Sequence, residues 1–245
     1  MKNLLFAVAL AGLTWMSSAS AGLIHAYNFS PDAPLADDVG GLELNPSGEV
    51  AISPEGFAKF DGQGGHLFVE ALNTVGGTYT VSFWVRSDSF EPGEEDVALG
   101  ILAATDKNPY AKGNWGVGLR RNIIRFGGKT MDDGLVNQSL IDKPEPGVWH
   151  LITLKFHGAE GVGGWVNEEA FVSFAVLKPT EDQPPPAYKE ISKFIIGCDH
   201  RGEAGFTGEI ADIRIYDDVE WNDAKQVATF QAGPSRGPSP SKSTP

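Results

Sequence analysis

The sequence predicts an all-β fold, an antiparallel two-sheet jelly-roll sandwich that carries one short C-terminal helix. Three observations predict it. Apolar and polar residues alternate in short runs through most of the chain, which is the pattern of strands with two different faces. Turn-forming residues separate the runs, with 30 Gly and 16 Pro in 245 residues. Helical periodicity is nearly absent before the C-terminal part. Many short strands with turn signals between them are typical of a sandwich or jelly roll.

Alternation within each run places the predicted strands. The clearest strand covers residues 79–86, where Tyr79, Val81, Phe83 and Val85 share one face and the residues between them share the other. Glycine, proline, asparagine and aspartate separate the runs from one another. In chain order, the predicted strands cover residues 23–29, 57–60, 67–69, 79–86, 97–104, 115–119, 123–126, 150–156, 171–177, 194–198 and 210–216.

One helix is predicted near the C-terminus. Asn222 is a good N-cap residue, and Asp223 suits the positive end of the helix dipole. Gly233 follows as a stop signal. The small and apolar residues predicted to face the sandwich are Ala224, Val227 and Ala228.

The chain is predicted to hold one large domain between two segments of a different kind. Residues 1–21 are predicted to be a signal peptide, because Lys2 precedes an apolar run and Ala19 and Ala21 form a small-residue cleavage site. The sandwich domain is predicted over residues 22–232, and the Pro- and Ser-rich residues 233–245 are predicted to be a disordered tail. No later segment is long and apolar enough for a membrane helix. We therefore expect a secreted, extracellular or cell-surface protein that does not span the membrane.

The net charge limits the expected partners of the protein, and the cysteine content limits its disulfide bonds. The chain has 19 Lys and Arg against 32 Asp and Glu, a net charge of −13. An acidic surface repels phosphate backbones, so nucleic acid is not an expected partner. The charge is compatible with bound calcium, although solubility alone also explains it. Cys198 is the single cysteine and lies in an apolar run, so we expect a buried thiol and no internal disulfide.

Several segments resemble one known superfamily when they are taken in order. Residues 79–85 read Tyr-Thr-Val-Ser-Phe-Trp-Val, residues 147–150 read Gly-Val-Trp-His, and a closing segment over 206–216 begins Phe-Thr-Gly-Glu-Ile. Together with the opening segment 23–29, they resemble the concanavalin A-like lectin/glucanase superfamily in its laminin G-like, pentraxin-type form. The resemblance covers roughly residues 23–232. It implies two stacked antiparallel sheets with loops clustered at the rims.

The resemblance also implies a structural calcium near the edge of the sandwich. Asp37 and Asp38 lie in a Gly-bounded loop, and Asp212 lies in the closing strand that the superfamily places close by. Carboxylate oxygens are ligands that Ca²⁺ prefers, so these three residues are the predicted metal ligands. An Asx turn at Asp37 and Asp38 is the alternative. The closing strand also departs from the pattern, because Ala211 stands where the superfamily commonly has a second acidic residue.

A second candidate site is a carbohydrate-binding surface. Sugars present apolar C–H faces and many hydroxyls, so a binder needs exposed aromatic rings beside polar groups. Tyr110, Trp115, Arg120 and Asn122 lie in a Gly- and Asn-rich segment and are the predicted contacts. Trp115 has an equally good alternative as a core residue, because the residues after it read as a buried strand.

No catalytic residues are predicted. The sequence holds no Gly-x-Ser-x-Gly, no phosphate-binding loop and no run of alternating acids set among apolar residues. A secreted, non-catalytic, lectin-like module that recognises a polysaccharide or the glycan of an extracellular glycoprotein is therefore the first hypothesis. A structural or adhesion protein of the cell surface or matrix is the second. A glycoside hydrolase or polysaccharide lyase on the same fold is the third, so the question of enzyme activity stays open.

Overall fold

The structure is a computed structural model, and it describes residues 22–70, 72, 78–90, 99–104, 112–129, 135–157, 161–174, 191–217 and 221–234. The predicted signal peptide and residues 235–245 of the predicted tail lie outside these residues. Within the described residues the elements are β1 (Leu23–Tyr27), β2 (Asn45–Ser47), β3 (Ala51–Ile52), β4 (Ala58–Asp61), β5 (His66–Glu70), β6 (Thr78–Arg86), β7 (Leu99–Ala104), β8 (Trp115–Arg120), β9 (Ile123–Lys129), β10 (Leu135–Asp142), β11 (His150–His157), β12 (Val162–Val166), β13 (Glu169–Phe174), β14 (Lys193–Ile196), β15 (Thr207–Tyr216) and α1 (Asp223–Ala232).

The strands form two antiparallel sheets that stack on each other, which confirms the predicted jelly-roll sandwich. The first sheet has the order β13-β12-β11-β6-β15-β4-β3, and β1 also pairs with β15. The second sheet has the order β10-β9-β8-β7-β14-β5-β2. Neighbours in each sheet are often distant in sequence, so most of the fold depends on long-range pairing.

The core lies between the sheets and is built by strand alternation. Tyr79, Val81, Phe83 and Val85 of β6 are buried in it, as the alternation predicts. Across the core, the indole Nε1 of Trp115 in β8 donates a hydrogen bond to the Tyr79 hydroxyl at 2.7 Å. This bond joins the two sheets through the middle of the sandwich.

Helix α1 covers the outer face of the first sheet. Gln226 is fully buried beneath the helix, where its side-chain oxygen accepts hydrogen bonds from Thr153 Oγ1 and Trp221 Nε1, both at 2.8 Å. Phe230 stacks on Trp84 of β6, with ring centroids 5.7 Å apart. The alternate face of β6 is therefore buried as well, although it carries polar residues.

The residues that α1 turns towards the sheet differ from those predicted. Ala224 and Ala228 are exposed and Val227 is only partly buried, whereas Gln226 is fully buried. A polar residue takes the central position because the sheet beneath it offers hydrogen-bond partners as well as apolar surface. Within the described residues, no helix has the length and apolar character that crossing a membrane requires.

Candidate functional site

The outer face of the second sheet carries the candidate site. Strand β8 alternates strictly, with Trp115, Val117 and Leu119 buried in the core. The residues between them point to the outer face and are partly exposed: Gly116, Gly118 and Arg120. Helix α1 lies against the other sheet, so among the described elements it does not cover this face.

Strand pairing brings β9 and β10 into the same surface. Gly116 pairs with Gly127, and Gly127 pairs with Asn137 on its other side. Gly118 pairs with Arg125 in the same way. We define the β8–β10 face as the outward residues of these three strands: Gly116, Gly118, Arg120, Ile123, Arg125, Gly127, Lys129, Leu135, Asn137, Ser139 and Asp142.

A tight turn closes one end of the β8–β10 face. Arg121 and Asn122 connect β8 to β9, and both have positive φ, 51° and 59°. Two such residues in succession give the type I′ turn that matches the twist of a hairpin, and Asn is favoured there. The carbonyl oxygen of Asn122 also accepts a hydrogen bond from the backbone N–H of Lys143 at 3.0 Å. The turn therefore fixes the pairing that aligns Arg120 with Ile123.

Glycine gives the face an open floor. A Cβ atom added to Gly127 would meet nothing within 4 Å, so no described side chain lies directly over this residue. A Cβ atom on the neighbouring Gly116 would lie 3.2 Å from the Leu102 carbonyl oxygen, so that position is tighter. Glycine in a strand interior weakens the sheet and often marks a place where a ligand approaches the backbone closely.

The exposed part of this face ends at β7, where the outward residues are buried. Ala103 of β7 and Ile195 of β14 point outward and pair with each other. Both are buried, and with Cys198 and Phe68 they form a small apolar cluster separate from the main core. The partly exposed glycines and polar side chains therefore begin at β8.

Positive charge is concentrated on the same strands. Residues 107–131 hold six Lys and Arg and no Asp or Glu, in a chain whose net charge is −13. Arg125 and Lys129 of this segment point to the β8–β10 face. The sequence interpretation missed Arg125, Gly127 and Lys129, although this one-sided charge run in an acidic chain is visible in the amino-acid sequence alone.

Of the predicted sugar contacts, two lie at the β8–β10 face and one lies in the core. Arg120 lies on the β8–β10 face and Asn122 lies in the turn beside it. Tyr110 lies outside the described residues. Trp115 is 1% exposed, and its ring packs against Phe156 with centroids 4.8 Å apart. This corrects the expectation that Trp115 stacks on a sugar, since its indole has no exposed face.

Asp37 has a structural role that the metal prediction did not include. One side-chain oxygen accepts hydrogen bonds from the backbone N–H groups of Ala26, Val39 and Gly40, at 3.0 to 3.1 Å. The other accepts from His25 Nδ1 at 2.6 Å and from the Leu42 N–H at 3.2 Å. Burial raises the pKa of Asp37, but the bonds from His25 and the backbone outweigh burial and hold it below its usual value.

The other two predicted metal ligands also have protein partners. Asp38 Oδ2 accepts a hydrogen bond from the Asn28 amide at 2.6 Å. Asp212 lies at a β-bulge with φ of 46°, and its two oxygens accept from Nε and a terminal nitrogen of Arg214, at 2.7 and 3.1 Å. A cation at Asp212 would therefore face a guanidinium.

Asp37, Asp38 and Asp212 contact N–H donors of the protein, at the residues where the resemblance implies a calcium site. A calcium ion needs six or more oxygen ligands, and the oxygens of Asp37 and Asp212 already accept from N–H donors. Throughout the described ranges, no group of three or more His, Cys, Asp or Glu side chains is arranged to hold a metal ion. Calcium binding stays a prediction, and thermal melts with Ca²⁺ and with a chelator test it.

The buried pair of His25 and Asp37 has the geometry of a structural contact. His25 Nε2 lies 2.8 Å from the Leu72 carbonyl oxygen, while Nδ1 contacts the Asp37 carboxylate. Both ring nitrogens thus lie within hydrogen-bond distance of a protein oxygen. A general base needs a nitrogen that is free to accept a proton from a substrate, and this ring has its two nitrogens engaged.

A family model confirms the resemblance on which the sequence interpretation relied. A laminin G family model, described as the concanavalin A-like lectin/glucanases superfamily, matches residues 61–220. This match spans more than half of the chain, so the chain belongs to this superfamily. A search among curated proteins gave no match.

Solved structures share the fold at low sequence identity. The botulinum neurotoxin serotype D binding domain aligns with a TM-score of 0.67 and 17% identity, covering 86% of this chain and 51% of that one. The serotype D ligand-binding domain in complex with N-acetylneuraminic acid aligns with a TM-score of 0.65 and 16% identity, over 86% and 51% of the two chains. This chain therefore spans about half the length of these structures, and at such identities the likeness shows the fold alone.

A third structure concerns botulinum neurotoxin type C, whose cell entry is described as dependent on two ganglioside molecules. It aligns with a TM-score of 0.62 and 18% identity, over 86% of this chain and 51% of that one. The shared architecture is the two-sheet sandwich described above.

Proposed function

We propose that this protein is a secreted, non-catalytic, lectin-like module that binds carbohydrate on the β8–β10 face. The observation that carries the proposal is the floor of this face, where Gly116, Gly118 and Gly127 leave the backbone accessible beside polar and charged side chains. A sugar needs apolar surface for its C–H groups and hydrogen-bond partners for its hydroxyls.

The side chains around the floor supply those partners. Asn137 on β10 is exposed and pairs with Gly127, so its amide lies beside the open floor and offers both a donor and an acceptor. Arg120 and Arg125 each offer several N–H donors from the same face. The aromatic stacking partner predicted for a sugar is not among the described residues of this face, because Trp115 is in the core.

The structural neighbours support carbohydrate as the ligand class. One is solved with N-acetylneuraminic acid, and another is described through its interaction with gangliosides. Because this chain matches only 51% of each of those chains, their ligands do not locate a site on the matched half. The location proposed above depends on the geometry of this chain.

Secretion is the part of the proposal that depends on the sequence alone. Lys2, the apolar run after it and the small residues Ala19 and Ala21 favour export and cleavage near residue 21. N-terminal sequencing of the protein from its native culture medium or cell surface tests this, and an intact Met1 on intracellular protein would contradict it.

Substitution of Gly127 tests the location of the site. The purified domain is first screened against a panel of neutral and acidic polysaccharides, and Gly127→Val is then compared with it. We expect Gly127→Val to fold, because a Cβ atom there meets nothing within 4 Å, and to lose at least about tenfold in affinity by occupying the floor.

Ala51→Val is the matched control. Ala51 is an exposed position in β3, at the edge of the first sheet, so the same side chain is added away from the face. Equal binding by Gly127→Val and Ala51→Val would place the site elsewhere. Failure to bind any saccharide would contradict the function itself. Measurement of reducing ends and of unsaturated ends on the same panel tests the hydrolase and lyase alternatives.

A further inference from the structure

We propose that the ligand of the β8–β10 face is an acidic polysaccharide, whose carboxylate or sulfate groups contact Arg125, Lys129 and Arg120. This inference rests on the proposed function and makes its ligand class specific. It is carried by the placement of charge in a chain that is otherwise strongly acidic.

The segment that builds the face has a charge opposite to that of the rest of the chain. Residues 107–131 hold six of the 19 Lys and Arg, and all 32 Asp and Glu lie outside this segment. A polyanion is repelled by the acidic remainder of the chain and attracted by these strands, so the charge distribution orients it towards one surface. A neutral saccharide gains nothing from such an arrangement.

Strand register collects the cations on the outer side of the sheet. Arg125 pairs with Gly118, and Arg120 is two residues further along β8 on the same face, so the two guanidinium groups start from diagonal neighbours. Lys129 is four residues after Arg125 on β9, about 13 Å further along the strand. An extended chain that crosses the face along β9 therefore meets more than one cation.

The positions directly opposite these cations on β10 are uncharged. Arg125 pairs with Ser139 and Lys129 pairs with Leu135. Asp142, the acid of β10, accepts a hydrogen bond from Ser139 and pairs with Ile123, which pairs with Arg120 on its other side. The acid therefore lies at the Arg120 end of the face, away from Lys129.

The chemistry of the side chains favours carboxylate and sulfate over hydroxyl groups alone. The planar guanidinium of Arg125 matches two oxygens of an oxyanion, and hydrogen bonds between charged groups are about twice as strong as those between neutral ones. The glycine floor between the cations lets a sugar ring approach while its acidic group reaches the rim.

Affinity measurements with three polymers test the inference. Binding of the folded domain is compared for polygalacturonate, dextran sulfate and neutral dextran, each at low and at physiological ionic strength. We expect one or both acidic polymers to bind, dextran to bind at least about tenfold more weakly, and acidic binding to weaken as salt is added.

Substitutions on the face complete the test. Arg125→Ala and Lys129→Ala are each expected to weaken acidic binding about tenfold, and Arg125→Lys is expected to weaken it less than Arg125→Ala, because it keeps the charge and loses the planar geometry. Lys59→Ala is the matched control, because Lys59 is an exposed cation of β4 in the first sheet. Circular dichroism and thermal melting verify that each variant is folded.

The outcomes separate this inference from the proposed function. Binding of dextran as strong as that of polygalacturonate, still lost in Gly127→Val, would overturn the acidic ligand and leave carbohydrate binding intact. Equal loss of affinity in Lys59→Ala and Arg125→Ala would show that the polymers are attracted by charge in general and not bound at this face. That result would also overturn the inference. If single-stranded DNA binds as tightly as the acidic polysaccharides, and Arg125→Ala weakens that binding, the face binds polyanions in general. That result would overturn a saccharide as its specific ligand.

Discussion

Asp37 is the residue whose side chain organises the N-terminal loop of the sandwich. Its carboxylate is buried and accepts hydrogen bonds from His25 and from four backbone N–H groups. Removing it would leave several buried donors without an acceptor and the buried His25 without its side-chain hydrogen-bond partner. The neighbouring Asp38 is exposed and accepts a hydrogen bond from the Asn28 amide. The two adjacent acids thus differ in burial and in partners.

We predict that Asp37→Ala lowers the free energy of unfolding by about 2–4 kcal/mol. We predict that Asp38→Ala lowers it by less than about 1 kcal/mol, because its contact is exposed to solvent. Urea titrations followed by tryptophan fluorescence measure both values. Equal effects of the two substitutions would show that the buried carboxylate does not organise this loop.

The same carboxyl predicts how stability responds to acid. Burial alone would raise the pKa of Asp37, but the bonds from His25 and three backbone N–H groups keep it below its ordinary value of 3.8. A carboxyl with a lowered folded-state pKa contributes stability that is fully present above the ordinary pKa and is lost as the pH falls through the folded-state value. We therefore expect the free energy of unfolding to decrease as the pH is lowered past 3.8.

Comparison with Asp37→Asn isolates this effect. The variant should show a weaker dependence on pH below 3.8 than the parent. Some dependence should remain, because the pKa of Asp199 is also lowered by backbone N–H groups and by Arg201, against the effect of burial. Parallel curves for the parent and Asp37→Asn between about pH 4 and about pH 2 would contradict the assignment.

At the scale of elements, α1 is held to the first sheet by a buried polar contact. Gln226 accepts from Thr153 and Trp221 and donates to the Asn167 carbonyl. Gln231, on the same helix, is exposed and donates to Glu168 at 3.3 Å. The two glutamines therefore offer a matched pair with the same chemistry and opposite burial.

We predict that Gln226→Ala lowers the free energy of unfolding by about 2–3 kcal/mol, because Thr153, Trp221 and the Asn167 carbonyl lose their buried partner. Gln231→Ala should change it by less than about 0.5 kcal/mol, since it is exposed and Ala has high helix propensity. Denaturant unfolding of both variants measures the difference. A small effect of Gln226→Ala would show that apolar contacts such as Phe230 on Trp84 suffice to hold the helix.

The sequence predicted some elements well and others poorly, for physical reasons. Residues 79–86 alternate, and Asn222 caps α1 by accepting from the Lys225 N–H at 3.0 Å, so both local signals were sufficient. Strand β12 was missed because two glycines interrupt its interior. Strand β10 was missed because its apolar residues come in two adjacent pairs and do not alternate with the polar ones, so that only pairing with β9 makes the segment a strand.

At the scale of the whole molecule, the sandwich was predictable and the site was predictable only in part. Alternation and segment order depend on local sequence, and they indicated two sheets. Which face of each sheet stays open depends on where α1 packs, and this requires contacts between distant segments such as Gln226 with Thr153. Arg120, predicted just after a strand over 115–119, is the last residue of β8 and lies on its outer face. Trp115 is a core residue, which was the alternative that the sequence left open.

The hydrogen bond between Trp115 and Tyr79 crosses the core and connects the two sheets, so its removal should lower the stability of the whole fold. We predict that Tyr79→Phe lowers the free energy of unfolding by about 1–3 kcal/mol, because the Trp115 indole N–H loses a buried partner. Tyr27→Phe is the control: the Tyr27 hydroxyl is buried and has no hydrogen-bond partner among the described residues, so its removal should be neutral or stabilising. Denaturant unfolding of the two variants measures both effects. Equal destabilisation by both would mean that loss of packing, and not the hydrogen bond between the sheets, sets the effect.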